Sequence, residues 1–102
     1  NISPTKIENL LCLNEKIKQC FVYGDKKTYL IALIVTDEDE NEKEIQLYIE
    51  KLNKDLSVIE KIKKFKLIKE EFTIENGMLT PTLKLKRKKI LEKYKEDLEK
   101  LY

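Results

Sequence analysis

The chain has 102 residues, 39% of them charged, yet its formal net charge is only +2. That length supports one compact domain with a modest core and is short for an enzyme that must enclose a large substrate alone. With no histidine and only two cysteines, the commonest general base is missing and no metal site is expected.

In chain order, Ile2-Ser3-Pro4-Thr5-Lys6-Ile7 opens a helix, with Ser3 as N-cap and Pro4 in the first helical position. Ile2 and Ile7 are spaced for a hydrophobic staple. Ile7, Leu10 and Leu11 form the buried stripe, Glu8 reads as a solvated residue, and the helix should end near Leu13 or Asn14. The N-terminus carries neither Met nor a basic-then-apolar leader, as expected of part of a longer, cytoplasmic protein. Residues 17–23 form a strand in which Cys20 reads as a small buried hydrophobe. Gly24-Asp25-Lys26-Lys27 turns the chain into a second strand over residues 29–35, and the pair reads as an antiparallel hairpin. This second strand is apolar on both faces, so it should be central and covered on both sides, and it is far too short to span a bilayer.

Residues 37–44 are acidic and lead into a helix carrying Ile45, Tyr48, Ile49 and Leu52. Ser57-Val58-Ile59-Glu60 matches a capping box and predicts a short helix to about Lys63. Residues 65–68 are a short third strand. Asn76-Gly77, flanked by Phe72-Thr73-Ile74-Glu75 and Met78-Leu79, predicts a hairpin. A final helix over residues 88–101 places Ile90, Leu91, Tyr94, Leu98 and Leu101 on one face. Helices and short strands thus interleave in an α+β arrangement: a small antiparallel or mixed sheet of about three strands plus a hairpin, flanked by helices.

The stretch from Met78 to Lys89 carries the strongest functional signal. If residues 78–86 are extended, Leu83 and Leu85 face one side and Lys84 and Lys86 the other. The lysines would then be presented together toward an anion such as a phosphate or carboxylate. Arg87, Lys88 and Lys89 follow at a helix start, where they oppose the helix dipole at about a few tenths of a kcal/mol each. A local rule broken in this way points to function, against the plainer reading of a solvated basic face.

Three stretches resemble a known family. Asn1-Ile2-Ser3-Pro4-Thr5-Lys6-Ile7-Glu8 is similar to the opening of the C-terminal domain of AMP-forming acyl-CoA synthetases, specifically the long-chain fatty acid–CoA ligases. Lys61-Ile62-Lys63-Lys64-Phe65-Lys66-Leu67 resembles the family's strand before its hairpin. Residues 70–87 are similar to the long-chain branch almost residue for residue, and the resemblance covers nearly the whole chain.

The wider superfamily ends this stretch in P-x-T-x-S-G-K, whose final lysine is catalytic. Laying its threonine on Thr82 puts that lysine at Lys86. Thr80 stands where the pattern has proline, and Lys84 and Leu85 stand for serine and glycine, so Lys84 competes for the role. The resemblance implies that Thr82 lies on the cofactor side and that Arg87, Lys88 and Lys89 attract the nucleotide phosphates of coenzyme A, with a solvated basic face as their equal alternative. It also implies that Ser3 lies near a coenzyme A tunnel, with a plain helix cap as its alternative. It implies ATP, CoA and Mg2+ for the intact enzyme, none bound tightly by residues 1–102 as a single domain, and no metal ligands here. The partners implied are the enzyme's own N-terminal ATP- and acyl-binding domain, absent here with its hinge, and a fatty acid. Any peripheral membrane contact would run through that absent domain.

Two other readings compete. The basic stretch 84–95, with Glu92 as its sole acid, fits a small nucleic-acid-binding module, but the sequence pI of about 8.4 is low for one. No exposed-looking aromatics interleave with the basic residues, so no nucleic acid is expected. The other reading is an interaction domain that keeps the fold without catalysis.

Overall fold

Strand β2 (Leu30–Val35) is the spine of the molecule, a run of Leu, Ile, Ala and Val in which every residue is buried. In the computed structural model, which describes residues 3–24, 27–37 and 41–102, it lies between β1 (Gln19–Tyr23) and β3 (Ile62–Ile68). Alternation along a strand sends successive side chains to opposite faces. Leu30, Ala32 and Ile34 accordingly join one cluster with Ile7, Leu11, Ile45 and Ile49. Ile31, Leu33 and Val35 join the other with Phe72, Met78, Ile90, Tyr94 and Leu98. Helices α1 (Pro4–Leu11) and α2 (Glu42–Asn53) cover the first face, and α3 (Arg87–Lys93) and α4 (Lys95–Lys100) cover the second.

The sheet is mixed. β1 and β2 pair antiparallel, from Gln19 opposite Val35 to Tyr23 opposite Ile31, as the hairpin reading predicts. β2 and β3 pair parallel, with a register shift between Leu30 and Ile31. A parallel neighbour needs a crossover, and α2 supplies it. β3 begins at Ile62, earlier than residues 65–68 alone imply, because parallel pairing with β2 recruits the alternating lysine segment.

The first helix is capped by Ser3, whose hydroxyl accepts from the Lys6 N–H at 3.4 Å, with Pro4 at the first position. It ends at Leu11, short of Leu13, with Cys12 as its C-cap. Ile2, the staple partner, and two residues of the Gly24 turn lie outside the described residues. The Ser57 motif forms only a 3-10 turn, Val58–Glu60, in which the Glu60 carboxylate accepts from the Ser57 N–H and O–H. Elongation stops because Lys61 is already extended, leading into β3.

Two expectations fail in the last third. The Asn76-Gly77 turn forms, with Gly77 at φ +80, but no strand flanks it. Met78 N–H reaches back to Thr73 C=O at 3.1 Å and Gly77 N–H to Ile74 C=O at 3.1 Å, the pattern that closes a helical turn. The Asn76 side chain reinforces it, accepting from Thr73 and Met78 N–H and donating to Glu71 C=O. The final helix is also interrupted: Tyr94, at φ −105 and ψ 18, separates α3 from α4. Its ring is buried and its hydroxyl donates to Glu70 at 2.6 Å, so a tertiary contact outweighs helical continuity at this residue. Lys93, at 2.6 Å, and then Tyr94 hold the Glu70 carboxyl below its ordinary range, while burial first and Glu70 second push the Tyr94 hydroxyl up. No helix among the described residues is long and apolar enough to cross a membrane.

Leu98 is 1% exposed within the second cluster. Leu98→Ala is expected to cost about 2–4 kcal/mol in urea unfolding. A loss below about 0.5 kcal/mol, the size usual at a surface, would overturn the packing assignment.

Candidate functional site at the lysine hairpin

Residues 78–86 are a tight hairpin, not a single extended strand. Leu79 bridges Leu85 in antiparallel fashion, flanked by Thr80 N–H to Lys84 C=O and Lys86 N–H to Met78 C=O, both at 2.8 Å. Pro81 and Thr82 occupy the turn, closed by Leu83 N–H to Thr80 C=O at 2.8 Å. The turn forces Leu83 to φ +64, the left-handed region that a leucine rarely adopts. Leu83 is consequently 67% exposed instead of holding the segment down beside Leu85. The alternation expected over the whole stretch survives only at Lys84-Leu85-Lys86, where the ladder keeps the backbone extended.

Thr80 organises the turn through its N–H, its C=O and its hydroxyl, which accepts from Lys84 N–H at 3.1 Å. The Thr80 and Thr82 hydroxyls lie 3.0 Å apart. Thr82 therefore sits on the exposed turn, with its hydroxyl engaged by its neighbour. Lys86 is the N-cap of α3, and its carbonyl accepts from Lys89 and Ile90 N–H. The backbone of Lys86 is thus held from two sides while its side chain is exposed.

Arg87 is tied down. Its guanidinium makes two bonds to Glu8, at 2.9 and 2.7 Å, reaches the Thr5 hydroxyl at 3.4 Å and lies 5.8 Å from the centre of the Phe21 ring. Glu8 is 7% exposed, not solvated, and also accepts from Val22 N–H at 2.7 Å. A buried carboxylate persists only if paired and hydrogen-bonded. Here it satisfies an outward N–H of the edge strand β1 and anchors the start of α3 together. The signal for it in the sequence is slight: Ile7, Glu8 and Leu11 share one face of α1. Nothing local announces its partner 79 residues away.

Lys18, in the wall of the groove beside the hairpin, is paired as well. Lys18 meets Asp37 at 2.8 Å and Glu71 at 3.6 Å, which raises its pKa, chiefly through the Asp37 bond. Among the described residues no carboxylate pairs with the ammonium of Lys84 or Lys86. Lys88 is exposed on the first turn of α3, and Ser3 is an exposed helix cap at the far end of the chain. The structure brings Thr5, Glu8, Lys18, Lys84 and Arg87 into the wall of one groove of about 560 Å³. Ser3, Lys86 and Lys88 are outside that wall.

Arg87→Ala leaves Glu8 buried with a backbone partner alone. We expect it to destabilise the domain by about 1–3 kcal/mol, less than a fully buried pair would lose, because Arg87 keeps 39% side-chain exposure. Arg87→Lys should restore only part of this, since an ammonium cannot reproduce the two-pronged contact. Full recovery in denaturant unfolding with lysine would show that charge alone suffices.

A family model described as the AMP-binding enzyme C-terminal domain matches residues 1–102. The chain is 32% identical to the long-chain-fatty-acid–CoA ligase FadD15 of Mycobacterium tuberculosis, covering 100% of this chain and 21% of that protein. It is 31% identical to human long-chain-fatty-acid–CoA ligase 1, covering 99% of this chain and 18% of that one. Among solved structures, the adenylation domain of a carboxylate reductase from Mycobacterium chelonae superposes with a TM-score of 0.86 at 30% identity, over 99% of this chain and 18% of that one. An adenylation–carrier didomain of the Segniliparus rugosus reductase, in complex with AMP, superposes at 0.85 with 27% identity, over 99% of this chain and 16% of that one. The chain spans about a fifth of the length of the curated relatives it matches.

Proposed function

The chain belongs to the AMP-binding enzyme C-terminal domain family, and on that premise we propose that it serves a long-chain fatty acid–CoA ligase as the domain that delivers a lysine to acyl-adenylate formation. Lys86 is that lysine. The observation that carries the reading is a contrast: Arg87 and Lys18 are committed to carboxylates, while the Lys84 and Lys86 side chains project from a fixed backbone with none. The ligase names of the relatives supply the substrate class.

In the proposed reaction a fatty acid carboxylate attacks the α-phosphate of ATP, giving acyl-adenylate and pyrophosphate. The thiol of CoA then displaces AMP. An ammonium is a compact point charge on a long stem. Placed between the carboxylate and the α-phosphate, it offsets their repulsion and stabilises charge as it develops in the transfer. No histidine is needed for this. The Glu8–Arg87 pair has a positioning part, because it holds the residue next to Lys86 against α1 and so fixes where the lysine stem begins. Among the described residues no group of three or more acidic or thiol side chains could hold a metal ion. Mg2+ therefore enters this proposal with the nucleotide in the enzyme's large N-terminal domain, and no step of it runs through a metal held here.

In the second half-reaction the domain turns about a hinge and another face helps form the CoA site. Residues 1–102 by themselves should neither make acyl-AMP nor bind ATP tightly, since one lysine is not an active site.

In the intact enzyme, Lys86→Ala is expected to slow adenylation about a hundredfold, near 3 kcal/mol, the usual size for losing one preorganised charge. It should spare thioester formation from supplied acyl-adenylate, and Lys84→Ala should do much less. The two half-reactions are measured separately in both variants. Equal losses in both halves would indicate a docking or folding defect and refute the assignment. A large adenylation loss in Lys84→Ala alone would move the role to Lys84.

A further inference from the structure

The two cysteines carry a feature that the proposed ligase chemistry does not use. Cys12 is the C-cap of α1 and is exposed, whereas Cys20 sits in β1 and is 3% exposed. Both are free thiols, and their sulfurs lie 3.6 Å apart. Their approach is built into the fold. The loop between them is held by Asn14 N–H to Leu11 C=O and by Ile17 N–H to Asn14 C=O, at 3.2 and 3.0 Å. Lys16 N–H reaches the Asn14 side chain at 2.8 Å, and Ile17 is buried as a plug. Cys20 Sγ also lies 3.5 Å from Glu8 C=O, which keeps it at the end of α1.

We propose that Cys12 and Cys20 are an oxidative modification site, a dithiol that closes reversibly to a disulfide joining the end of α1 to β1. A disulfide needs its sulfurs at about 2.05 Å. Cys12, at a helix end facing solvent, is the one that can make the remaining approach. The two thiols are inequivalent in the way such a pair requires. The hydrogen bond with Cys20 lowers the Cys12 thiol, and contact with Cys12 together with burial pushes the Cys20 thiol up. Exposure makes Cys12 the thiol that an oxidant in solution reaches first, and burial behind it makes Cys20 the resolving thiol.

With a peroxide as oxidant, the Cys12 thiolate attacks one oxygen and the O–O bond breaks, leaving a sulfenic acid and hydroxide, which takes up the proton Cys12 gave. Cys20 sulfur then attacks the Cys12 sulfur. The S–O bond breaks, and the departing hydroxide leaves as water with the Cys20 proton. Each sulfur loses one electron and the two peroxide oxygens gain two, so two thiols and one peroxide become one disulfide and two waters. The bond would pin the helix that carries Glu8 against the strand it caps. Both cysteines are among the residues of the groove that Lys84 and Arg87 also line.

The test treats the 102-residue chain, dilute and free of reductant, with hydrogen peroxide. Both thiols should disappear together, with a mass lower by two hydrogens. A tryptic cross-link should join residues 7–16 to residues 19–26, and dithiothreitol should reverse it. Cys20→Ser should divert Cys12 to a sulfenic acid trapped by dimedone, and Cys12→Ser should leave Cys20 reduced at the same dose. Wild-type chain that accumulates sulfenic or sulfinic acid at Cys12 with Cys20 still a thiol would overturn the proposal. So would a disulfide between chains in place of the internal one.

Discussion

A strand buried on both faces imposes most of this architecture. Six consecutive apolar residues of β2 have no solvent face, so each surface of the sheet must be covered by something else. Each fully buried Val, Leu or Ile contributes about 1.5–3 kcal/mol relative to exposure, and neither layer alone could bury the whole strand. The first 53 residues supply one cover through α1 and α2, and everything after β3 supplies the other. The lysine hairpin belongs to this second cover. Met78 and Leu79 are buried in its cluster, and the turn beyond them projects outward. An exposed, hydrogen-bonded turn is therefore mounted on an apolar foot.

The Glu8–Arg87 pair joins the two ends of the chain and works with that foot. Glu8 lies on the helix covering one face of the sheet, and Arg87 begins the helix covering the other. Their meeting at the edge of β1 closes the two layers around Val22 and Phe21. An ion pair that is partly desolvated is a weak source of net stability but a strong constraint on geometry, because separating its members strands a buried charge. Such a contact fixes the backbone at Arg87 and so, one residue earlier, the place where the Lys86 side chain begins. It also gives a structural reason for an arginine in the first turn of α3, where the helix dipole disfavours it.

Division of labour among the basic residues follows from these contacts. Composition alone presents a basic stretch from Lys84 to Lys95, and a nucleic-acid surface is one natural reading of it. In three dimensions the stretch is not a uniform field: Arg87 is spent on Glu8, Lys93 on Glu70, and Tyr94, the aromatic within it, is buried against Glu70. Among the described residues, Lys84 and Lys86 on the hairpin and Lys88, Lys89 and Lys95 beyond it are left without a carboxylate partner, and of these only Lys84 lines the groove.

Much of the framework is legible in the sequence. Ser3 and Pro4 mark a helix start because capping chemistry is local, and Leu30–Val35 announces a central strand because unbroken apolarity has one stable solution in a sheet. The motif around Thr82 and Lys86 likewise pointed to the lysines and to the family. Other features were decided by contacts distant in sequence, which no local pattern encodes. Parallel pairing of β3 with β2 depends on the α2 crossover. The break at Tyr94 depends on Glu70, and the burial of Glu8 depends on Arg87. The hairpin at Leu79 and Leu85, with Leu83 pushed into left-handed backbone, replaces an alternation that reads equally well as one extended strand, because two-residue periodicity records which side a residue faces and not where the chain turns back. Sequence by itself thus determined the first helix, the central strand with its antiparallel neighbour, and the candidate lysines. Tertiary structure alone decided which charges are paired and which remain available, because pairing is a matter of distance in space.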